Sequence, residues 1–285
     1  MVEYDIKNKV LYGVSLSSDE TVIDIPNGVE RIKHLKIAKN VERLIIPSSV
    51  KLIDLDAFEY AINLVEIVLV DNNDFVVEKR CLFDKNKKII YLAERDIFGR
   101  ITLPSNVSYI SAHAFAHCNR LTQIKLNQNI KHIGPFAFIE CFNLEKINIP
   151  SLYDLELNEA TFEGCSALRE ITIPENIISL GECLFYECWG LEKINIKTSK
   201  IRIVPFQCFA YCESLVRIDF KDGVLEIQDN AFMGCELMTE ASFPASVSTI
   251  GSSIFLDDNN LTVFSNSKRL ANYCAEHKIM FEYSN

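Results

Sequence analysis

The stretch AFIECFNLEKINIP, residues 137–150, contains the pattern that decides the fold. A phenylalanine is followed three residues later by a cysteine, and an LxxIxIP segment comes next. The alternation of Ile147 and Ile149 with polar residues is typical of a short strand that buries one face. Pro150 has no N–H to donate to a neighbouring strand, so it predicts the end of this one.

The same pattern recurs along the chain at a nearly constant interval. Successive phenylalanines of the FxxC pairs lie 23 or 24 residues apart, and Phe255 follows at the same spacing without a cysteine. Several copies also end in a glycine, and Gly134, Gly181 and Gly251 are expected to supply backbone freedom where the chain turns. Six copies in register exclude chance and predict a repeat architecture. The pairs are Phe115/Cys118, Phe138/Cys141, Phe162/Cys165, Phe185/Cys188, Phe209/Cys212 and Phe232/Cys235.

This repeat resembles the leucine-rich repeat, and more closely its BspA-like subclass, tightly over residues 101–255 and loosely over residues 22–70. A spacing of three predicts that each Phe and Cys share one side of a helical turn and point into the core. The predicted fold class is α/β: a leucine-rich-repeat solenoid. The resemblance implies a right-handed horseshoe of short parallel strands with helical or 3-10 turns on the convex side.

The whole chain, residues 1–285, is predicted to form this single domain, because one repeat cannot bury its apolar face alone. Apolar alternation around residues 84–87 predicts a β-hairpin. Residues 268–277 are expected to form a helix with Leu270 and Cys274 on one face, followed by a strand at 279–281. The predicted parts are an N-terminal hairpin and cap (1–25), degenerate repeats (26–70), a hairpin insertion (71–103), regular repeats (104–264) and a C-terminal cap (265–285).

Charge and hydropathy exclude several classes of protein. The net charge is −10, from 29 basic and 39 acidic residues, and basic residues do not cluster, which argues against nucleic-acid binding. No apolar run reaches the length of a membrane span, so we expect no membrane insertion. The charged start, residues 1–10, does not resemble a signal peptide. We therefore expect a cytoplasmic protein if Met1 is the native start, whereas the family resemblance implies a cell-surface or secreted one.

The ten cysteines do not predict disulfides or a metal site. Six occupy one repeat position, where parallel side chains have poor disulfide geometry, and a free cysteine packs well as a small apolar residue. We also considered zinc ligation by His113, His117 and Cys118 with His132, but Cys118 belongs to the inward series. The chain lacks the common catalytic motifs. The sequence thus predicts a non-enzymatic protein with no cofactor and no metal.

The predicted concave sheet is the first candidate binding surface. Residues beside the first inward isoleucine of each strand should face outward, giving a mixed polar surface without aromatic residues. An ordinary solvated sheet is the alternative interpretation. The candidate partner-binding residues are Lys125, Lys146, Glu170, Lys193, Arg217 and Asp219.

A second candidate is an exposed apolar patch formed by Ile139, Phe142, Tyr186 and Trp189. The repeat positions of Phe142 and Trp189 are polar in the other four copies, which predicts exposure to solvent. Exposed apolar patches mark interfaces, so the hypothesis is a contact with a partner or a second copy. The alternative is that a neighbouring turn covers these side chains.

Several functions compete at this level. The resemblance implies cell-surface adhesion to host or matrix proteins, which predicts a protein ligand of unknown identity. An intracellular protein–protein adaptor is the main alternative. An enzyme or metal protein and a carbohydrate binder are further candidates, and the last is weakened by the lack of aromatic residues on the predicted concave face.

Overall fold

The computed structural model is a β-solenoid of about 11 turns, built mostly of short strands with one helix. It describes residues 2–59, 61–256 and 260–284, so Met1, on which one expectation about the compartment rests, lies outside the described residues. Within these ranges the strands are β1 Val2–Lys7, β2 Val10–Leu16, β3 Val22–Asp24, β4 Arg31–Ile32, β5 Leu35–Lys36, β6 Arg43–Pro47, β7 Leu52–Ile53, β8 Phe58–Glu59, β9 Glu66–Val70, β10 Phe75–Glu78, β11 Cys81–Asp84, β12 Ile89–Ala93, β13 Phe98–Thr102, β14 Tyr109–Ile110, β15 Arg120–Lys125, β16 His132–Ile133, β17 Lys146–Ile147, β18 Leu155–Leu157, β19 Glu170–Ile173, β20 Ile177–Leu180, β21 Lys193–Ile196, β22 Ile203–Val204, β23 Arg217–Asp219, β24 Glu226–Ile227, β25 Glu240–Ser242, β26 Thr249–Ile250, β27 Thr262–Phe264 and β28 Met280–Glu282. The helix is α1 Lys268–His277.

Neighbouring turns of the solenoid are joined by mostly parallel ladders of short strands. One series, which we call the ladder face, consists of the sheets β3-β6-β9, β13-β15-β17 and β19-β21-β23-β25-β27-β28. A second series consists of β1-β2-β4-β7, β10-β11-β12-β14-β16, β18-β20 and β22-β24-β26. Pairing in register places equivalent residues of successive repeats side by side, as with Ile171 and Ile194. A substitution at one repeat position is therefore felt mainly by the two adjacent turns.

The phenylalanines of the repeat form a continuous stack in the core. From Phe115 to Phe255 all seven rings are buried, and neighbouring ring centroids lie 5.2 to 5.7 Å apart. Each repeat cysteine from Cys141 onward donates its thiol hydrogen to the carbonyl oxygen of a phenylalanine in the preceding turn, as Cys165 does to Phe138 at 3.3 Å. Cysteine thus suits this position because it is small, apolar and still a hydrogen-bond donor.

The FxxC segments differ from the helical turns that the spacing predicts. They are consecutive β-turns in which every fourth residue has a positive φ, for example 55° at His113 and 57° at His117. A left-handed residue interrupts the α-helical hydrogen-bond series. The N–H groups bond to the next solenoid turn instead, from Phe115 to Ala137 (2.8 Å) and from His117 to Ile139 (2.8 Å). Phe and Cys point inward as expected. The segment is held by a third series of backbone hydrogen bonds between successive solenoid turns and not by helical hydrogen bonds.

The repeat glycines are required for a different reason from the one the sequence suggests. None of Gly134, Gly181 and Gly251 has a positive φ, so backbone freedom does not explain them. A Cβ atom on Gly181 would lie 2.3 Å from the backbone nitrogen of Glu159 in the preceding turn, and one on Gly134 would lie 2.4 Å from that of Ala112. These positions need glycine because two backbones pass too close for a side chain.

The hairpin predicted around residues 84–87 is confirmed. Strands β11 and β12 pair antiparallel, and β10 pairs antiparallel with β11 on the other side. The Asp84 carboxylate accepts hydrogen bonds from the N–H groups of Lys88 and Ile89, both at 2.6 Å. An aspartate at this position therefore fixes the turn through its own side chain.

The predicted C-terminal helix is also confirmed. Helix α1 begins after Ser267, whose hydroxyl accepts a hydrogen bond from the N–H of Leu270, and it buries Leu270 and Cys274. Strand β28 follows and pairs parallel with β27. Among the described residues, no helix has the length and apolar character that a membrane span requires.

A polar layer divides the apolar core into two clusters. One cluster extends from Leu11 to Leu92 and the other from Cys81 to Cys274. Arg95, which is 5% exposed, lies at their junction. Its guanidinium donates to the carbonyl oxygens of Ala61 (2.7 Å), Ala114 (3.1 Å) and His113 (3.2 Å). One buried side chain therefore links turns on both sides of the junction.

Candidate functional site

The residues predicted for the concave surface lie on the ladder face. The first inward residue of most of these strands is buried, as Ile124 and Ile171 are. The residues on either side of it point outward, and parallel pairing sets them in rows across the strands. Five of the six candidates are exposed and Asp219 is half-buried; the exposed ones are Lys125, Lys146, Glu170, Lys193 and Arg217.

The charged residues on the ladder-face strands from β19 to β25 are held in ion pairs, with three carboxylates against two cations. Lys193 lies 3.2 Å from Glu170, and the pKa of Glu170 is lowered by hydrogen bonds from Asn195 and Lys193. The Arg217 guanidinium contacts Asp219 at 2.7 Å and Glu240 at 2.6 Å. Burial raises the pKa of Asp219, but hydrogen bonds from Arg217 and Ser242 outweigh it, so the net shift is downward. This part of the face offers little unbalanced charge to a partner.

Lys125 and Lys146 differ from these paired residues. Neither lysine makes an ion pair with any residue that the structure describes. The six candidates therefore divide into two unpaired cations and four residues held in ion pairs.

A cleft of about 590 Å³ lies beside Lys125 and Lys146. It marks an interruption of the ladder face, because β15 pairs with β17 and β19 pairs with β21, but β17 and β19 do not pair. The Asn148 carboxamide bonds to both the N–H (2.8 Å) and the C=O (2.9 Å) of Leu126, where the ladder to β15 would otherwise continue. This cleft was not predicted, since the LxxIxIP pattern runs through residues 144–150 without a break.

The predicted apolar patch is partly exposed. Phe142 is 41% and Trp189 47% exposed, while Ile139 and Tyr186 are half-buried. The backbone ladder runs from Phe142 through the intervening repeat to Trp189, because Ala167 N–H donates to Phe142 and Gly190 N–H donates to Ser166. The two aromatic side chains are thus separated by one repeat whose residues there are small.

Glu163 lies in the same row as Ile139 and Tyr186, between them. Burial raises the pKa of Glu163 to about 7, and the nearby carboxylates of Glu187 and Glu140 add to the effect. The patch therefore has a titratable centre at neutral pH. The sequence shows that Glu163 occupies the same repeat position as Ile139 and Tyr186. It does not show that the Glu163 side chain is partly buried.

The histidines considered as metal ligands make other contacts. The His113 ring stacks on Phe136 with centroids 4.8 Å apart, and burial followed by the charge of Arg95 lowers its pKa to about 4. His117 Nδ1 lies 3.0 Å from a carboxylate oxygen of Glu140, and His132 packs near Tyr109. Within the described ranges, no three His, Cys, Asp or Glu side chains gather as metal ligands would.

The cysteines are all free thiols. Burial raises the pKa of the repeat cysteines, for example those of Cys141, Cys165 and Cys212, well above the ordinary value. A thiol that does not ionise is a poor nucleophile and a poor metal ligand. The geometry therefore gives these residues a packing role.

Register-aligned strands and a stacked phenylalanine core define a repeat solenoid with rows of outward-facing side chains on its ladder face. The profile described as "BspA type Leucine rich repeat region (6 copies)" matches residues 5–90, 91–203 and 155–262. The chain belongs to the BspA-type leucine-rich repeat family. No catalytic family is indicated.

Two solved bacterial structures illustrate the similarity. A leucine-rich repeat protein from Eubacterium ventriosum is 26% identical, with 83% of this chain and 64% of that chain covered and a TM-score of 0.58. The pneumococcal vaccine antigen PcpA is 18% identical, with 94% of this chain and 61% of that chain covered and a TM-score of 0.61, and it shows the fold alone. The chain thus spans less than two thirds of either protein's length. No curated protein matches the chain.

Proposed function

We propose that this protein is a non-enzymatic protein-binding scaffold that acts as a cell-surface adhesin for host or matrix proteins. A leucine-rich repeat scaffold suggests protein interaction in general, and the BspA-like resemblance implies adhesion. The observation that carries the proposal is the exposure of Phe142 and Trp189 on a rigid repeat. Large aromatic side chains that remain in solvent are typical of interface hot spots.

The surroundings of these two side chains favour contact with another protein. Ser166 and Ala167 of the intervening repeat lie between them in the ladder and have small side chains, so a partner residue can approach the backbone between the two rings. Gly190 itself has no room for a Cβ, which would lie 2.3 Å from the carbonyl oxygen of Ser166. Large residues flanking small ones give a surface with relief, which a complementary protein surface can fill.

The test is capture of partners by immobilised protein from two sources, a panel of matrix glycoproteins and a cytoplasmic lysate. The variant Phe142→Ser/Trp189→Ser removes the aromatic patch. The control Leu52→Ser/Leu225→Ser removes two leucines of similar exposure, 47% and 46%, elsewhere on the surface. Capture of a matrix glycoprotein that is lost only in the aromatic variant supports the proposal. If neither the wild type nor either variant captures any protein, the proposal is contradicted.

An intracellular adaptor is the second candidate, and the thiols favour it. All ten cysteines are free, whereas oxidising compartments favour disulfides. Capture from the cytoplasmic lysate alone, with the same dependence on Phe142 and Trp189, would favour the adaptor over the adhesin.

A further inference from the structure

We infer that the part of the ladder face formed by β13, β15 and β17 binds an acidic segment of a partner protein. The inference rests on the proposed protein-binding function and adds a second site and the chemistry of its ligand. Four cations project from these three strands, and the strands contain no Asp or Glu. We call these residues the basic patch: Arg100, Arg120, Lys125 and Lys146.

The strand register brings the basic patch together. Arg100 pairs with Gln123, which pairs with Lys146, so Arg100 and Lys146 occupy one row two strands apart. Lys125 lies in the adjacent row, opposite Thr102. At about 4.8 Å between strands, the row from Arg100 to Lys146 covers about 10 Å.

None of the four cations has a carboxylate partner among the described residues. The Arg120 guanidinium lies 5.4 Å from the centre of the Phe98 ring, which holds it over an aromatic face without neutralising it. Arg100, Lys125 and Lys146 are exposed. The patch is therefore four positive charges on a chain whose net charge is −10.

The cations on both sides of the basic patch are already held in ion pairs. Ion-paired residues precede it on the N-terminal side and follow it on the C-terminal side, so attraction for an anionic partner is concentrated at the patch. The flanking pairs are Arg43–Glu66, Arg80–Glu94, Arg80–Asp96, Glu170–Lys193, Arg217–Asp219 and Arg217–Glu240.

The cleft between β17 and β19 adds backbone groups to this charge. No backbone hydrogen bond joins these two strands in the described chain, so their facing edges carry N–H and C=O groups that a ligand can engage. Ile147 and Ile171 line the cleft. Two carboxylates also line it, Glu145 and Glu170, and Glu170 is held by Lys193.

This combination fits an acidic protein segment better than a long polyanion. An extended peptide supplies both donors and acceptors for the open strand edges, and its carboxylates match lysine and arginine. A patch about 10 Å wide accommodates two or three carboxylates of such a segment. A nucleic acid or sulfated polysaccharide would extend beyond the patch along a chain of strongly negative net charge.

The experiment measures fluorescence anisotropy of a labelled nine-residue peptide of glycine, serine and valine that contains three glutamates. The variant Lys125→Gln/Lys146→Gln removes two patch charges. Its matched control, Lys197→Gln/Lys221→Gln, removes two exposed lysines that follow strands β21 and β23, with the same change in net charge. Circular dichroism checks that all three proteins are folded.

We expect the wild type and the control to bind the peptide alike and the patch variant to bind on the order of tenfold more weakly. Binding should also weaken as salt is raised, because exposed charges are screened. A peptide with glutamine in place of glutamate should bind more weakly to the wild type.

The inference is overturned if the peptide does not bind the wild type, binds the patch variant equally, or binds no better than its glutamine analogue. It is also overturned if a heparin fragment or single-stranded RNA binds at the patch and the peptide does not. Capture of a protein partner through Phe142 and Trp189 is measured on the same samples. If the peptide does not bind but the protein partner is still captured, the basic-patch inference alone is rejected. If no protein partner is captured, the proposed function is rejected.

Discussion

At the residue scale, the repeat cysteines show how a side chain can be required for packing and hydrogen bonding at once. Cys188 is fully buried, and its thiol donates to the carbonyl oxygen of Phe162 at 3.1 Å. A valine would fill space but leave that carbonyl without this donor, and a serine would keep the donor but lose apolar contact. Because burial raises the pKa of these thiols, they stay protonated and do not compete as nucleophiles.

Glu163 gives the pH dependence that belongs to this scale. Its folded pKa is about 7 against an ordinary value of 4.5, so between these values the folded protein binds a proton that the unfolded chain releases. Stability contributed by this group therefore falls as the pH rises from 4.5 to 7. We expect the stability of Glu163→Gln relative to the wild type to be greater by about 1–2 kcal/mol at pH 8 than at pH 5, after allowing for screening by solvent.

Urea unfolding at the two pH values, followed by Trp189 fluorescence, measures this difference. Glu213→Gln, an exposed glutamate one repeat beyond Trp189, is the control and should show no pH-dependent gain. An advantage of Glu163→Gln that is the same at pH 5 and pH 8 would refute the assignment.

At the element scale, each FxxC turn is stabilised by its neighbours and not by its own hydrogen bonds. Positive φ values at His113 and His117 exclude a helix there, and the freed N–H groups donate to the following solenoid turn. These hydrogen bonds between turns also set the distance between the backbones of neighbouring turns. Where two turns approach most closely, as at Gly181 and Glu159, the distance leaves no room for a Cβ atom.

We predict that Gly181→Ala lowers the free energy of unfolding by about 1–3 kcal/mol, because backbone atoms of the preceding turn must move to admit the methyl group. Gly13→Ala is the control, since no atom lies within 4 Å of the position that its Cβ would take. Chemical denaturation of both variants measures the cost. Equal stability of the two would show that close approach does not constrain the repeat.

At the scale of the whole molecule, the solenoid is two apolar clusters joined through a polar layer. Repeat proteins unfold as coupled neighbouring units, so a weak junction allows the two clusters to unfold in separate transitions. Arg95 strengthens this junction by donating to carbonyl oxygens of Ala61 on one side and of Ala114 on the other. Arg80 and Glu94, 3.0 Å apart, lie in the same layer.

We predict that Arg95→Ala destabilises the protein by about 2–3 kcal/mol, because buried carbonyl oxygens lose their donors. It should also separate the unfolding of the two clusters. The chain has one tryptophan, Trp189, which is exposed on a repeat whose Cys188 and Leu191 belong to the C-terminal cluster, so its fluorescence reports on that side while far-UV circular dichroism reports on the whole chain. The two transitions should coincide in the wild type and in the exposed control Arg169→Ala, but differ in Arg95→Ala. Coincident transitions in Arg95→Ala would show that the junction is not a boundary.

The sequence by itself determined the repeat, its register and the inward residues, because a solenoid repeats one local sequence pattern many times and each copy packs only on its neighbours. It also determined the 84–87 hairpin and helix α1, whose signals are local. Tertiary structure decided what depends on the distance between turns: that FxxC is a chain of β-turns, that Gly181 is needed for space, and that the ladder face is interrupted after β17. It likewise decided which charges are paired, since Glu170 and Lys193 are 23 residues apart but adjacent in the ladder, and this leaves Lys125 and Lys146 unpaired.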